Sequence, residues 1–127
     1  MADVTHLKID DIDGFNHSSG EMSLRKVQQA LGVSSFGIAV VELGPETDVY
    51  PEHHHDGEQF GQQADQEEVF LALGGGGEIE VDGKRYPLDP GHIVRVGPKP
   101  KRKVYPGGEG MRLLVIGGTP GKPYEAR

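Results

Sequence analysis

The chain has 127 residues, 20 glycines, 9 prolines, no cysteine and a net charge of −7. This length fits one domain with a substantial core, and the lack of cysteine excludes disulfides and thiolate metal ligands. The negative charge disfavours binding to nucleic acid or to anionic membranes. The sequence has no apolar run of membrane-spanning length and no signal-peptide pattern at its start, so we expect a cytoplasmic protein.

The first 32 residues are rich in turn signals. They predict a short edge strand around Leu7 to Ile9, followed by loops, because Asp10 to Gly14 is a turn-forming cluster. Apolar residues at a helical spacing follow between Leu24 and Leu31, but Gly32 ends that pattern within two turns. A short helix and an irregular strand are equally favoured there.

Beyond this point short apolar segments alternate with turn residues. The predicted strands are Phe36 to Leu43, Val69 to Leu73, Glu78 to Val81, Lys84 to Leu88, His92 to Val96 and Met111 to Ile116. Asp82-Gly83 is a strong hairpin signal, and the four glycines from Gly74 allow a bend or the close approach of another backbone. We predict a single all-β domain over 1–127 of the jelly-roll kind, with its core barrel at about 33–117, a tail at 118–127 and at most one short helix near the N-terminus.

The residues His53, His55 and Glu68 suggest a divalent-metal site. In a strand, His53 and His55 point to the same face, roughly 7 Å apart along the backbone. If the apolar run that Glu68 opens pairs antiparallel with the histidine strand, its carboxylate can meet both imidazoles. His54 faces away in this arrangement, although it could replace a neighbouring ligand, and the polar segment 56–65 predicts a mobile loop beside the site.

These residues resemble the first motif of the cupin superfamily, a His-x-His pair followed by a glutamate and a glycine, here His53, His55, Glu68 and Gly75. The stretch Pro90-Gly91-His92-Ile93-Val94-Arg95-Val96-Gly97-Pro98 resembles the start of the second motif. The resemblance implies a double-stranded β-helix, the cupin barrel, with a metal held inside it. The chain is also similar to short bacterial single-cupin proteins of unassigned function, a likeness that implies no activity.

The sequence departs from the cupin pattern at two places. About a dozen residues separate His55 from Glu68, where cupins have three or four, and a longer loop costs little entropy. Arg102 stands where the second motif has its histidine, and an arginine stays protonated and cannot bind a metal. The resemblance therefore implies three protein ligands, which is sufficient for zinc or non-haem iron.

Arg102 allows three interpretations. It can enter the barrel mouth and bind the carboxylate of a substrate, with Gln66 on the same face, or it can belong to an exposed basic turn from Lys99 to Lys103. In a barrel that has lost its metal, Arg102 would instead form an ion pair with Glu68.

Two functions follow from the site and the resemblance. The first is a metal-dependent enzyme of isomerase, oxygenase or lyase type, with Zn, Fe, Mn or Ni at the site and a small anionic metabolite as ligand. No nucleophile or general base can be assigned from the sequence. The alternative is a non-catalytic ligand-binding or sensing cupin, with a purely structural role ranked third. We also expect a homodimer, because pairing between two copies would cover an exposed N-terminal strand.

Overall fold

The computed structural model describes residues 2–55 and 65–121. These residues form one seven-stranded antiparallel sheet in the order β1-β2-β3-β7-β4-β5, with β6 paired to β4. The elements are a 3-10 turn (Ile9–Asp11), β1 (Gly14–Asn16), β2 (Met22–Arg25), α1 (Val27–Leu31), β3 (Gly37–Leu43), β4 (Glu67–Val81), β5 (Lys84–Leu88), β6 (Ile93–Val96) and β7 (Arg102–Gly118). The predicted all-β fold with one short helix is confirmed. No helix in the described part of the chain is long and apolar enough to cross a membrane.

The N-terminal segment differs from the prediction. The strand expected around Leu7 to Ile9 is wrong, because a 3-10 turn begins at Ile9 and the strands lie later, in the hairpin of β1 and β2. A 3-10 turn places side chains three residues apart on the same side, so Ile9 and Ile12 both reach the cluster around Val40. An extended strand would have turned these two side chains to opposite faces.

The segment from Leu24 to Leu31 contains both of the structures between which the sequence did not decide. Leu24 belongs to β2, which pairs with β3, and α1 begins at Val27. Gly32 ends the helix in the left-handed conformation, with φ of 74°, and its N–H donates to the carbonyls of Gln28 and Gln29.

Strand β3 separates two hydrophobic clusters that the described residues form. Val41 and Leu43 belong to the main core inside the barrel, together with Phe70 and Leu113. Val40, in contrast, packs with Val27 of α1 and with Ile12. Ile12 and Val27 of the N-terminal segment therefore cover the outer face of β3, whereas Met22 and Leu24 of β2 pack against the main core.

The glycine run lies inside a strand and does not separate two strands. Val69 to Leu73 and Glu78 to Val81 were predicted as separate elements, but both belong to β4, with register shifts between Ala72 and Gly74 and between Gly75 and Gly77. Because of these irregularities the first half of β4 pairs with β6 and the second half with β5. The predicted close approach of another backbone is confirmed, since a Cβ at Gly75 would lie 2.1 Å from the carbonyl oxygen of Gly110.

Gly75→Ala should destabilise the fold by at least about 2 kcal/mol, because the new methyl group meets a backbone carbonyl and φ is +68°. Gly74→Ala is the matched control, since a Cβ at Gly74 would have nothing within 4 Å. Urea unfolding of both variants measures the difference. Equal stabilities would contradict this account of the bend.

Candidate metal centre

The histidine segment reaches the site by pairing with the start of β7. The N–H of His53 donates to the carbonyl of Arg102 at 3.0 Å, and the N–H of Arg102 donates back to the carbonyl of His53 at 2.8 Å. The N–H of His55 donates to the carbonyl of Pro98 at 2.8 Å. These bonds fix the two alternate side chains on one side of the segment.

The predicted pairing between the histidine segment and the strand of Glu68 is wrong. At Glu68 both edges of β4 are already occupied, by Val96 of β6 on one side and Gly117 of β7 on the other. A strand has only two edges for hydrogen bonds, so the histidines must approach from elsewhere. They still meet Glu68, because its side chain points into the barrel towards them.

The three predicted ligand side chains converge. The Nε2 atom of His55 lies 3.1 Å from Oε1 of Glu68, and the Nε2 atom of His53 lies 3.7 Å from the same oxygen. One ligand atom from each of the three residues lies within 4.8 Å of the others, and the imidazole rings are nearly perpendicular at 81°. This group can hold a metal ion.

The tautomer of His53 suits metal binding. Its Nδ1 lies 2.9 Å from the carbonyl oxygen of Pro51, which can only accept, so Nδ1 carries the hydrogen. In the neutral imidazole, Nε2 then holds the lone pair that a metal needs, whereas in the imidazolium the same atom forms an ion pair with Glu68 at 3.7 Å. A hydrogen bond of this kind orients metal-binding histidines in proteins generally.

Glu68 is ionised at neutral pH. Burial raises the pKa of its carboxyl, but the hydrogen bonds and charges of His53 and His55 outweigh burial and lower the pKa to about 2. A carboxylate and two imidazoles are a donor set suited to Zn, Fe, Mn or Ni. The residues present therefore fit a divalent transition metal.

Arg102 is buried, with 0% of its side chain exposed, and contacts Glu68 directly. Its Nη1 donates to Oε1 of Glu68 at 3.0 Å, and its Nη2 donates to the carbonyls of Gly97, Pro98 and Pro100. The prediction of an exposed basic turn holds for Lys99 and Lys101, which are exposed, but not for Arg102, which is buried. In the backbone pairing, Arg102 lies directly opposite His53.

Lys103 has a role that sequence reasoning missed. Its Nζ donates to the carbonyls of Asp48 at 2.6 Å and Tyr50 at 2.7 Å, in the segment that leads to the histidines. The Tyr50 ring in turn lies 5.7 Å from that of His53, centroid to centroid. Alternation along β7 could have indicated that Lys103 points away from the site, but not which backbone it binds.

A cavity of about 410 Å³ adjoins the site and has Glu68 and Gln66 in its lining. Gln66 is buried, as the prediction of an inward side chain requires.

His54 is half-buried beside the ligand pair, and His92 is exposed and bonded to Asp89 at 2.8 Å. Most of the predicted 56–65 loop lies outside the described residues.

Arg102→Met should lower the free energy of unfolding by about 3–5 kcal/mol, because it leaves the buried Glu68 carboxylate without its cation. Lys101→Met removes the same charge from an exposed neighbour and should change stability by less than about 0.5 kcal/mol. Urea unfolding at pH 7 compares the two. Similar small losses would show that Arg102 contributes no more than a surface charge.

Comparison with known proteins identifies the fold. No protein-family model and no curated protein sequence matches the chain. Among solved structures, a cupin protein from Bacteroides fragilis is 18% identical, with a TM-score of 0.70 over 100% of this chain and 93% of the other. A sugar phosphate isomerase of the cupin superfamily from Silicibacter pomeroyi is 20% identical, with a TM-score of 0.66 over 89% of this chain and 74% of the other.

The polyketide cyclase RemF from Streptomyces resistomycificus is 14% identical, with a TM-score of 0.64 over 89% of this chain and 77% of the other. These identities support a conclusion about fold and none about activity. The β4–β7 ribbon, the converging His53, His55 and Glu68, and these structural neighbours agree: the chain is a small protein of the cupin fold.

Proposed function

We propose that the protein binds a divalent transition metal through His53, His55 and Glu68 and uses it to act on a small anionic metabolite. The observation that carries the proposal is the convergence of two imidazole nitrogens and one carboxylate oxygen within 4.8 Å. Three protein ligands leave coordination positions for a substrate, as in catalytic zinc and non-haem iron sites.

The chain's own residues would position the metal and limit access of water. The Pro51 carbonyl orients His53, the Pro98 carbonyl fixes the backbone of His55, and Arg102 holds the Glu68 carboxylate. When bound, the metal supplies Lewis-acid chemistry that polarises a substrate oxygen. His55 and Glu68 are almost fully buried, so a substrate at this point is largely removed from water.

We propose an isomerase- or lyase-type reaction. The structural neighbours include a sugar phosphate isomerase and a polyketide cyclase. Fold likeness at this identity is an analogy, so the site residues carry the proposal. No described residue beside the three ligands stands out as a nucleophile.

A second candidate function is a ligand-binding cupin without metal, and the contact between Arg102 and Glu68 favours it. Nη1 of Arg102 lies 3.0 Å from the Glu68 carboxylate, so a cation already neutralises the only acidic ligand of the group. A fixed guanidinium next to the site opposes a divalent ion by charge repulsion. Metal content separates the two candidates.

Untagged, metal-free protein should bind about one equivalent of Zn²⁺, Ni²⁺ or Mn²⁺ in a calorimetric titration. His53→Ala and Glu68→Gln should each weaken the tightest-bound metal by at least about tenfold, because each removes one of the three donors. Elemental analysis after loading and desalting gives the stoichiometry independently.

His92→Ala is the matched control, since His92 is exposed and lies outside the group. It should bind metal as the wild type does. Substoichiometric metal in the wild type after loading would support the second candidate, and so would affinities that do not change in His53→Ala and Glu68→Gln.

A further inference from the structure

The cavity beside the metal centre is lined by both apolar and charged side chains. It lies between the β1–β2 hairpin, α1 and the barrel strands β3, β4 and β7. Its apolar lining comes from Phe15, Leu24, Ile38 and Val115, and its charged side chains are Lys26 and Glu68. Gln28, Gln29 and Gln66 add three amide groups to the lining. The volume of 410 Å³ lies near the lower end of the range of about 300–1,000 Å³ that is usual for small-molecule sites.

Lys26 is the cation of this cavity, and it forms no ion pair with any residue in 2–55 and 65–121. Neighbouring cations are used differently: Arg25 pairs with Glu42 at 2.7 Å, and Arg112 pairs with Glu42 at 2.9 Å. Lys26 instead places its Nζ 5.8 Å from the ring centroid of Phe15, another residue of the cavity lining.

The negative charge of Glu68 does not prevent an anion from entering this cavity. Arg102 donates to the Glu68 carboxylate at 3.0 Å and is fully buried, so the two charges compensate each other. Lys26 then remains as the uncompensated charge of the cavity lining. In a protein with a net charge of −7, this local positive charge is opposite to that of the chain as a whole.

We propose that Lys26 binds the anionic head of a small organic acid, a carboxylate or a phosphate monoester, whose apolar body lies against Leu24, Ile38 and Val115. The other end of this ligand reaches Glu68 and the metal group. Phe15 forms the face beside the anionic head, with the ammonium group above its ring. The inference rests on the proposed function, because it names the substrate class of the same site and adds a specificity-determining residue from the N-terminal segment.

The test compares three probes that share one apolar ring: benzoate, phenyl phosphate and the neutral benzamide. Calorimetric titration of metal-loaded full-length protein should show that at least one anion binds about tenfold more tightly than benzamide. Lys26→Gln should weaken that anion by about tenfold, the usual effect of losing a charged hydrogen bond, and leave benzamide unchanged. The ranking of benzoate against phenyl phosphate identifies the anionic head.

Lys84→Gln is the matched control. Lys84 also lies over an aromatic ring, 5.1 Å from the centroid of Tyr86, and its loss changes the net charge equally, but it does not line the cavity. It should bind all three probes as the wild type does. The inference is overturned if neither anion binds, if the anions bind no more tightly than benzamide, or if Lys26→Gln and Lys84→Gln behave alike.

Metal titration of the same proteins separates this inference from the proposed function. Lys26→Gln should bind metal with wild-type affinity, because Lys26 is not one of the ligand group. Metal binding without an effect of Lys26→Gln on the anions would overturn only the inference. Anion binding that depends on Lys26 in a wild type that binds no metal would overturn only the proposed metal function.

Discussion

The buried contact between Arg102 and Glu68 is the interaction on which the candidate site depends. Removing either charge from water costs several kcal/mol, so each must find its partner inside the barrel. The guanidinium donates to Glu68 through Nη1 and to the carbonyls of Gly97, Pro98 and Pro100 through Nη2. One side chain thus joins the carboxylate of β4 to the turn between β6 and β7. Burial of Arg102 is therefore a requirement of the site and not an accident of packing.

The same turn also fixes the histidines, since Pro98 and Arg102 supply the backbone groups that pair with His55 and His53. The site consequently combines two attachments to one short segment: side-chain bonds that hold Glu68 and backbone bonds that hold the imidazoles. Lys103 extends this arrangement through the carbonyls of Asp48 and Tyr50. Displacement of the turn would move all three candidate ligands, which explains why so many polar contacts converge on a segment rich in proline.

The sequence was sufficient for β3, β5 and β6 and for the ligand group, because these follow from local signals: alternation, the Asp82-Gly83 hairpin and the His53-x-His55 pair with Glu68. It was not sufficient for the full length of β4 and β7, whose glycines and prolines read as breaks between strands. The sequence was not sufficient to predict which strand pairs with the histidine segment. That partner depends on which strand edges are already hydrogen-bonded elsewhere in the barrel. The sequence left the position of Arg102 open: its place in the second motif favoured the barrel interior and an ion pair with Glu68, whereas the lysines at 99 and 101 favoured a solvated turn. No sequence pattern indicated that Lys26 lines the cavity, because its position there depends on how the β1–β2 hairpin packs.

Charge balance links the two proposals. The Glu68–Arg102 pair is neutral, and an imidazole that binds a metal is uncharged, so a divalent ion at the group would carry its charge into a largely buried site. An anionic ligand bound between the exposed Lys26 and the metal would compensate that charge. Each would then raise the affinity of the other by the same factor, since coupling between two binding equilibria is reciprocal. The bound anion would in this way offset the repulsion that the Arg102 guanidinium exerts on a metal ion at the group.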